Sequence, residues 1–491
     1  MQHRRRRSIC CAVLVIESGM ASAGEWRISP RFAVDETYSD NITLAHDPDT
    51  AGFITTLSPG FSLRGKSARL NANIDYNFQN LLFASNSKFD RDNQQLQGNT
   101  AWTVIDKWIF LDATGRMYQE AVDPAGNFIA NSYSRIATQR DVAGYTVTPR
   151  LKHSFAGWVD VDFNYTLGHT DYSGLQPVTS IIDGVTSRTL GTGDDTSYRL
   201  RLASGRELDR TPLGLTVEHH EADYESGTKS KLDSIIGDIG YRLTRTVKLV
   251  GTGGHEEDTF SSISGAKNKG VTWTLGAEWT PSSRTFVALH GGERYFGPTF
   301  DAQVRHKFRK LSTTFSYKEE VRTISDLQNR LTFVPQFDQS GNPFYDPLQS
   351  ALFRSPLNSP TVTEDTFVSR DSDLGFDYTF LRTTLQMHYF SSQRDYQRAK
   401  QTENIEAASG MLTRHTSLRG SLSLSAIWRH SDYSSANNSF DELVQISPSY
   451  NYTLGPHTIA SLSYDYLTAD GTDPTQKYTE NAVTARINFY Y

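Results

Sequence analysis

The 491-residue chain is 37% hydrophobic and 12% aromatic at a mean hydropathy of −0.50, too polar for a bundle of membrane helices and too aromatic for a disordered chain. Its net charge of −6, from 49 basic and 55 acidic residues, argues against nucleic acid as a partner. The two cysteines, Cys10 and Cys11, both fall in the first 23 residues, so the remainder has neither a disulfide nor a thiolate metal site.

Residues 1–23 have the parts of a secretory signal peptide: Arg4-Arg5-Arg6-Arg7, an apolar run from Ile9 to Ile16, and a small-residue cleavage site Ala21-Ser22-Ala23. Cleavage there removes four arginines and Glu17 and takes the 49 basic and 55 acidic residues to 45 and 54, a net charge near −9. The run is shorter than the about 20 apolar residues that a spanning helix needs. Neither cysteine sits in a small-residue lipobox, so lipidation is not expected.

After Gly24 the dominant signal is alternation. It appears at Val159, Val161, Phe163 and Tyr165, and again at Val271, Trp273, Leu275, Ala277 and Trp279 with Thr272, Thr274, Gly276 and Glu278 between them. That segment turns at Pro281-Ser282-Ser283 and runs on through Val287 and Leu289. The pattern returns at Phe376, Tyr378 and Phe380, at Leu422 and Leu424, and at Leu462, Tyr464 and Tyr466. It ends with Val483, Ala485, Ile487, Phe489 and Tyr491 against Thr484, Arg486, Asn488 and Tyr490. A period of two gives each strand one apolar and one polar face, the requirement of a wall between lipid and an aqueous lumen.

Joining the segments predicts about 22 strands, in a range of about 16 to 22, of roughly 10 to 14 residues each. Very short connections fall near Gly65, Asp106, Ser154, Asp209, Arg245, Ser282, Lys310, Arg382, Ser417 and Gly455. Longer ones fall at 37–52, 80–93, 120–139, 171–194, 259–268 and 323–368, and the two classes are expected to alternate strictly. Residues 24–491 are therefore predicted to form one all-β, closed antiparallel transmembrane barrel in the bacterial outer membrane, with periplasmic turns and extracellular loops. Strands that start so close to Gly24 leave no room for an N-terminal plug domain. The aromatic end at Tyr491 resembles the C-terminal signature by which the barrel-assembly machinery takes up outer-membrane proteins.

Parity puts Asp160, Asp162, Arg199, Arg201, Asp238, Arg242, Glu278, Arg294, Arg305, Lys307, Asp377, Arg419, Arg429 and Arg486 on the lumen face. Both signs are mixed, which suits a salt-bridged, solvated wall and equally a polar track for a sugar chain. Trp158, Phe286, Phe390 and Tyr490 share that parity and are candidates for stacking on glycan rings, with an interface girdle as the alternative. His219 and His220 are adjacent, point to opposite faces and cannot share a metal ion. No zinc motif, phosphate loop or nucleophile elbow appears, so no catalytic, cofactor or metal residue is nominated and no enzyme is expected. The segment 323–368 is the longest connection, and its Phe333, Phe344 and Tyr345 make it the candidate gate or cap.

Two stretches resemble the outer-membrane β-barrel proteins associated with the PEP-CTERM/exosortase system and with exopolysaccharide gene clusters. One runs from Trp26-Arg27-Ile28-Ser29-Pro30 through Asp35-Glu36-Thr37-Tyr38-Ser39-Asp40-Asn41-Ile42 to Leu57-Ser58-Pro59-Gly60-Phe61. The other is Glu278-Trp279-Thr280-Pro281-Ser282-Ser283-Arg284-Thr285 with Gly292-Glu293-Arg294-Tyr295-Phe296-Gly297. The resemblance implies a barrel of about 18 strands serving polysaccharide export, beside an export lipoprotein, with no catalytic residues. The alternatives are a general or sugar-selective uptake porin and a structural barrel that anchors surface glycan.

Overall fold

The computed structural model describes residues 24–46, 50–121, 139–173, 192–225, 227, 229–258, 269–323, 366–396, 401–434, 439–472 and 477–491, together with two short ladders, 179–182 with 185–188 and 336–337 with 343–344. The signal-peptide stretch lies outside them. Among the described residues 22 strands form one sheet. The first seven are β1 (Glu25–Ser39), β2 (Gly52–Lys66), β3 (Leu70–Phe83), β4 (Arg91–Ile105), β5 (Ile109–Ala121), β6 (Gln139–Phe155) and β7 (Val159–Ser173). Next come β8 (Gly193–Ser204), β9 (Leu213–Tyr224), β10 (Lys229–Arg242), β11 (Val247–Asp258), β12 (Lys269–Ser282), β13 (Thr285–Arg294), β14 (Gly297–Lys307) and β15 (Leu311–Thr323). The last seven are β16 (Thr366–Phe380), β17 (Thr383–Tyr396), β18 (Thr402–His415), β19 (Gly420–Ser434), β20 (Ser439–Gly455), β21 (Thr458–Gly471) and β22 (Tyr478–Tyr490).

Each strand pairs antiparallel with the next, and β1 pairs with β22 from Arg31 opposite Tyr490 to Ser39 opposite Ala482. Closure removes both edges, whose unpaired backbone groups would each cost several kcal/mol in lipid. The count is 22, not the about 18 implied by the resemblance.

The two faces differ as the alternation requires. On β12 Val271, Trp273 and Leu275 are exposed to the outside, while Thr272, Thr274 and Glu278 face in. Trp26, Trp102, Trp108, Trp158 and Trp279, five of the seven tryptophans, stand exposed at the turn end, where an indole suits the headgroup layer. Toward the loop end the outward positions become ionisable, with His169 bonded to Asp194 at 2.7 Å and His219 to Asp233 at 2.6 Å. Apolar girth between aromatic and charged rims marks the chain as an outer-membrane barrel.

The ten turns fall where the sequence places them, but the one near Asp209 is not tight: it runs over residues 205–212 with a 3-10 turn at Arg206–Leu208. The loop-end connections are less uniform than expected: β13 and β14 are joined by only Tyr295 and Phe296. Strict alternation of lengths therefore fails, because reversing a strand needs only two residues on either side of the membrane. Gly254, Gly276 and Gly292 face in on β11, β12 and β13, and a Cβ there would meet backbone carbonyl oxygens at 2.0, 2.2 and 1.9 Å. Their absent side chains let the neighbouring strands approach this closely.

Candidate functional site

The barrel encloses a lumen, and among the described residues its wall is organised by ion pairs. At the seam Arg486 on β22 donates to Asp35 on β1, with Nη2 to Oδ2 at 2.8 Å. Arg201 on β8 reaches past Thr216 on β9, at 2.7 Å, to Asp238 on β10 at 2.9 Å. Lys248 meets Glu278 at 3.2 Å, and Arg294 meets Glu256 at 2.7 Å while donating to the Glu319 carbonyl at 2.9 Å. Each guanidinium spans neighbouring strands, which holds the wall together as well as neutralising it.

The other sequence-predicted lumen residues are distributed along the same wall. Asp160 stands opposite Ala203, and Asp162 opposite Arg201. Arg199 pairs with Glu218 at 2.9 Å, and Arg242 with Asp209 in the adjoining turn. Lys307 faces in opposite Ser312, and Asp377 accepts from Gln386 at 3.3 Å. Arg429 is buried and donates to Ser431 at 3.1 Å, whereas Arg419 lies in the turn before β19.

The aromatic candidates do not come together. Trp158 is not on a strand but in the turn after β6, 57% exposed, among the tryptophans of the girdle. Phe286 faces in but is covered by the Arg305 guanidinium, 5.0 Å from the ring centre. Phe390 is buried among Ile405, Ala407 and Ile427 and presents no free ring face. Tyr490 stands opposite Arg31 at the very end of β22. These four rings therefore form no shared platform, because inward parity says nothing about what already lies against a ring. Of the gate candidates, Phe333 and Tyr345 lie outside the described residues, and Phe344 is described only as backbone opposite Gln336.

A 22-strand barrel is too wide for wall side chains alone to fill. Two described elements pack inward at the loop end. The first is the segment after β1, which folds inward. Asn41 fixes its turn by bonding the Ala45 N–H and carbonyl, at 3.0 and 2.8 Å, and the Thr479 carbonyl at 3.0 Å. Ile42 then packs with Ile54, Leu81, Phe83 and Ala482, while Leu44, at a left-handed φ of 52°, packs with Leu443, Leu467 and Tyr478. Burying these two aliphatic side chains contributes about 1.5–3 kcal/mol each, enough to hold one residue in a strained backbone region.

The second element is the loop end of β16. Thr366, Phe367, Val368 and Ser369 are all buried, whereas a plain wall strand exposes every second residue to lipid. This end leans across the mouth toward β9 and β10. Phe367 and Tyr396 cluster with Ala222 and Tyr224, flanked by Tyr172 on β7. Ser230 Oγ and Thr366 Oγ1 are 3.1 Å apart. Beneath Phe367 lies Arg394, fully buried, with its guanidinium 5.8 Å from the Phe367 ring and 3.3 Å from Glu403. Glu403 also accepts from the Tyr396 hydroxyl at 2.6 Å. A buried charge with both an ion partner and a phenol makes this end rigid. Close by, the Tyr295 hydroxyl donates to Asp258 at 3.0 Å. Burial, and then the Asp258 carboxylate, push its phenol well above the ordinary value, so it stays a donor.

Sequence reasoning missed the residues of this closure. Ile42 and Leu44 were visible as aliphatics inside a polar connection, the one local signal available. Nothing local marks Ser230 as a neighbour of Thr366. Among the described residues no group of three His, Cys, Asp or Glu side chains is placed to hold a metal ion.

No family model and no curated protein matches the sequence. Among solved structures the chain is similar to the siderophore receptor PirA from Acinetobacter baumannii, at 7% identity and a TM-score of 0.51 over 94% of this chain and 80% of that one. It is similar to the FrpB iron transporter from Neisseria meningitidis at 10% identity and a TM-score of 0.51, over 94% and 81%. A ferric enterobactin receptor (PfeA) mutant from Pseudomonas aeruginosa, in complex with enterobactin, gives 9% identity and a TM-score of 0.50 over 95% and 81%. At these identities the likeness is one of fold.

Proposed function

We propose that this protein is an outer-membrane transport barrel that takes up a polar solute through a lumen whose outer mouth is shut at rest by its own wall. The observation that carries this reading is the contact of β16 with β9 and β10, through Phe367 with Tyr224 and Thr366 with Ser230. A freely permeable pore has no use for strands six and seven places apart in the wall meeting at its mouth, and a barrel that only anchors glycan has no need of a wide charged lumen. The fold neighbours support uptake over the polysaccharide export implied by the resemblance, since one is a siderophore receptor and another an iron transporter. The ion-paired wall supports a polar cargo, and no residue of it is arranged for bond making or breaking.

The reading is tested with proteoliposomes loaded with the polar dye calcein. The wild type is expected to retain the dye, and the Tyr224→Ala/Phe367→Ala variant, with the apolar contact removed, to release it faster by about tenfold or more. Equal retention by both proteins would mean a filled, structural barrel and overturn the proposal; rapid loss through the wild type would mean an open pore and overturn it equally.

A further inference from the structure

Many polar groups of the lumen satisfy one another, but on β2 to β4 several uncharged ones left without a partner lie side by side. Ser58 on β2, Asn77 and Gln79 on β3 and Gln95 on β4 all face in, and none is more than 5% exposed. Asn77 stands opposite Gln95. The pairings of Leu57 with Asn80 and of Gly60 with Asn77 bring Ser58 level with Gln79. Five polar atoms in this patch have no hydrogen-bond partner: Ser58 Oγ, Asn77 Nδ2, Gln79 Nε2 and Oε1, and Gln95 Oε1. A buried donor or acceptor left so costs stability, and four such side chains side by side on three adjacent strands are not an accident of packing.

The chemistry of the patch is specific. Its four side chains offer both donors and acceptors and are themselves uncharged, and the Arg31 guanidinium that borders Asn77 is taken by the Ser62 hydroxyl, the Tyr76 carbonyl and Asp75. The inward carboxylate next along β3, Asp75, is already held by Arg64 at 2.7 Å. An ionic ligand would find the bordering charges already paired with one another, whereas a hydroxyl both donates and accepts, and two vicinal hydroxyls match the Nε2 and Oε1 of one glutamine. Toward the loop end the patch is roofed by Ile54, Leu81 and Phe83, closed by Ile42. That apolar roof keeps bulk water from competing for the five atoms.

We infer that Ser58, Asn77, Gln79 and Gln95 form a binding subsite for a neutral polyhydroxylated solute, a saccharide, within the lumen. The inference rests on the transport reading and names the class of its cargo. The test uses the full barrel in lauryldimethylamine oxide, a detergent without a sugar head, titrated with sucrose and followed by saturation-transfer NMR. The wild type is expected to bind sucrose saturably, and glucose 6-phosphate, which brings a charge, is expected not to compete. Gln79→Leu, close in volume, is expected to weaken sucrose by about tenfold or more while leaving the melting temperature unchanged or raised, because it removes an amide that the fold itself does not satisfy. No saturable signal from the wild type overturns the inference. So does unchanged binding by Gln79→Leu, and so does a lowered melting temperature, which would show the amide to be satisfied within the fold. Calcein release reads the mouth alone, so a barrel that opens on Tyr224→Ala/Phe367→Ala yet ignores sucrose keeps the transport reading and loses this one.

Discussion

Replacing Arg486 with alanine is expected to destabilise the folded barrel by about 3–5 kcal/mol, the loss typical when one partner of a buried ion pair is removed. Asp35 is 3% exposed and holds Arg486 through two of its nitrogens. In Arg486→Ala its carboxylate would remain at the seam with its principal counter-charge gone. The partners are 451 residues apart and join the first strand to the last, so the loss falls on the step that closes the sheet. The Asp35→Leu/Arg486→Met variant is expected to recover most of it, since two well-packed apolar side chains replace the pair without leaving a charge behind. Guanidinium titration of barrels folded into phospholipid vesicles measures both, and a loss below about 1 kcal/mol for Arg486→Ala would show that the pair is solvated like a surface one.

The second large effect separates the two faces of the wall. Leu275 lies mid-strand on β12 and is 65% exposed to the outside, and its neighbour Thr274 faces in, 2.6 Å from Thr252. Leu275→Arg is expected to cost about 2–4 kcal/mol, the price of a cation at the bilayer midplane. Thr274→Arg places the same charge in a polar lumen and is expected to cost about 1 kcal/mol at most, the worth of the hydroxyl contact. The same titration reports both, and equal losses would mean that the faces are misassigned.

Those faces were legible in the sequence because side-chain direction in a strand is a strictly local property. Val271 to Trp279 alternate whatever the rest of the chain does, and the same parity puts Arg201, Asp238 and Arg486 on the face where their partners stand. The turns near Asp106, Ser282 and Arg382 were visible because apolar alternation breaks off there within two or three residues. What parity does not carry is the content of the lumen. Phe390 faces in, but that three aliphatic neighbours bury its ring is a fact about adjacent strands that no period within β17 reveals. Trp158 obeys lumen parity only if the strand is extended through a turn, and Gly157 at a φ of 79° ends it first.

The closure was the least legible part. Length drew attention to segment 323–368, while the much shorter segment after β1 carries Ile42 and Leu44 into the lumen. The contact at the mouth joins residues 136 positions apart, and the close approach of strands at Gly254, Gly276 and Gly292 is equally non-local. Each glycine looks ordinary in its own strand. Only their shared inward position on three consecutive strands gives them a common effect, and that needs the register of the sheet.

The central claim, that β16 meets β9 and β10 at the mouth, is tested most directly by a cross-link. Cys10 and Cys11 are the only cysteines of the sequence and lie in the stretch read as a signal peptide, so a Ser230→Cys/Thr366→Cys barrel would carry a single engineered pair in place of hydroxyls 3.1 Å apart. Mild oxidation of the protein in vesicles is expected to join them, with loss of maleimide labelling and a tryptic peptide linking β10 to β16. Two thiols that both label after oxidation, with no linked peptide, would contradict the account.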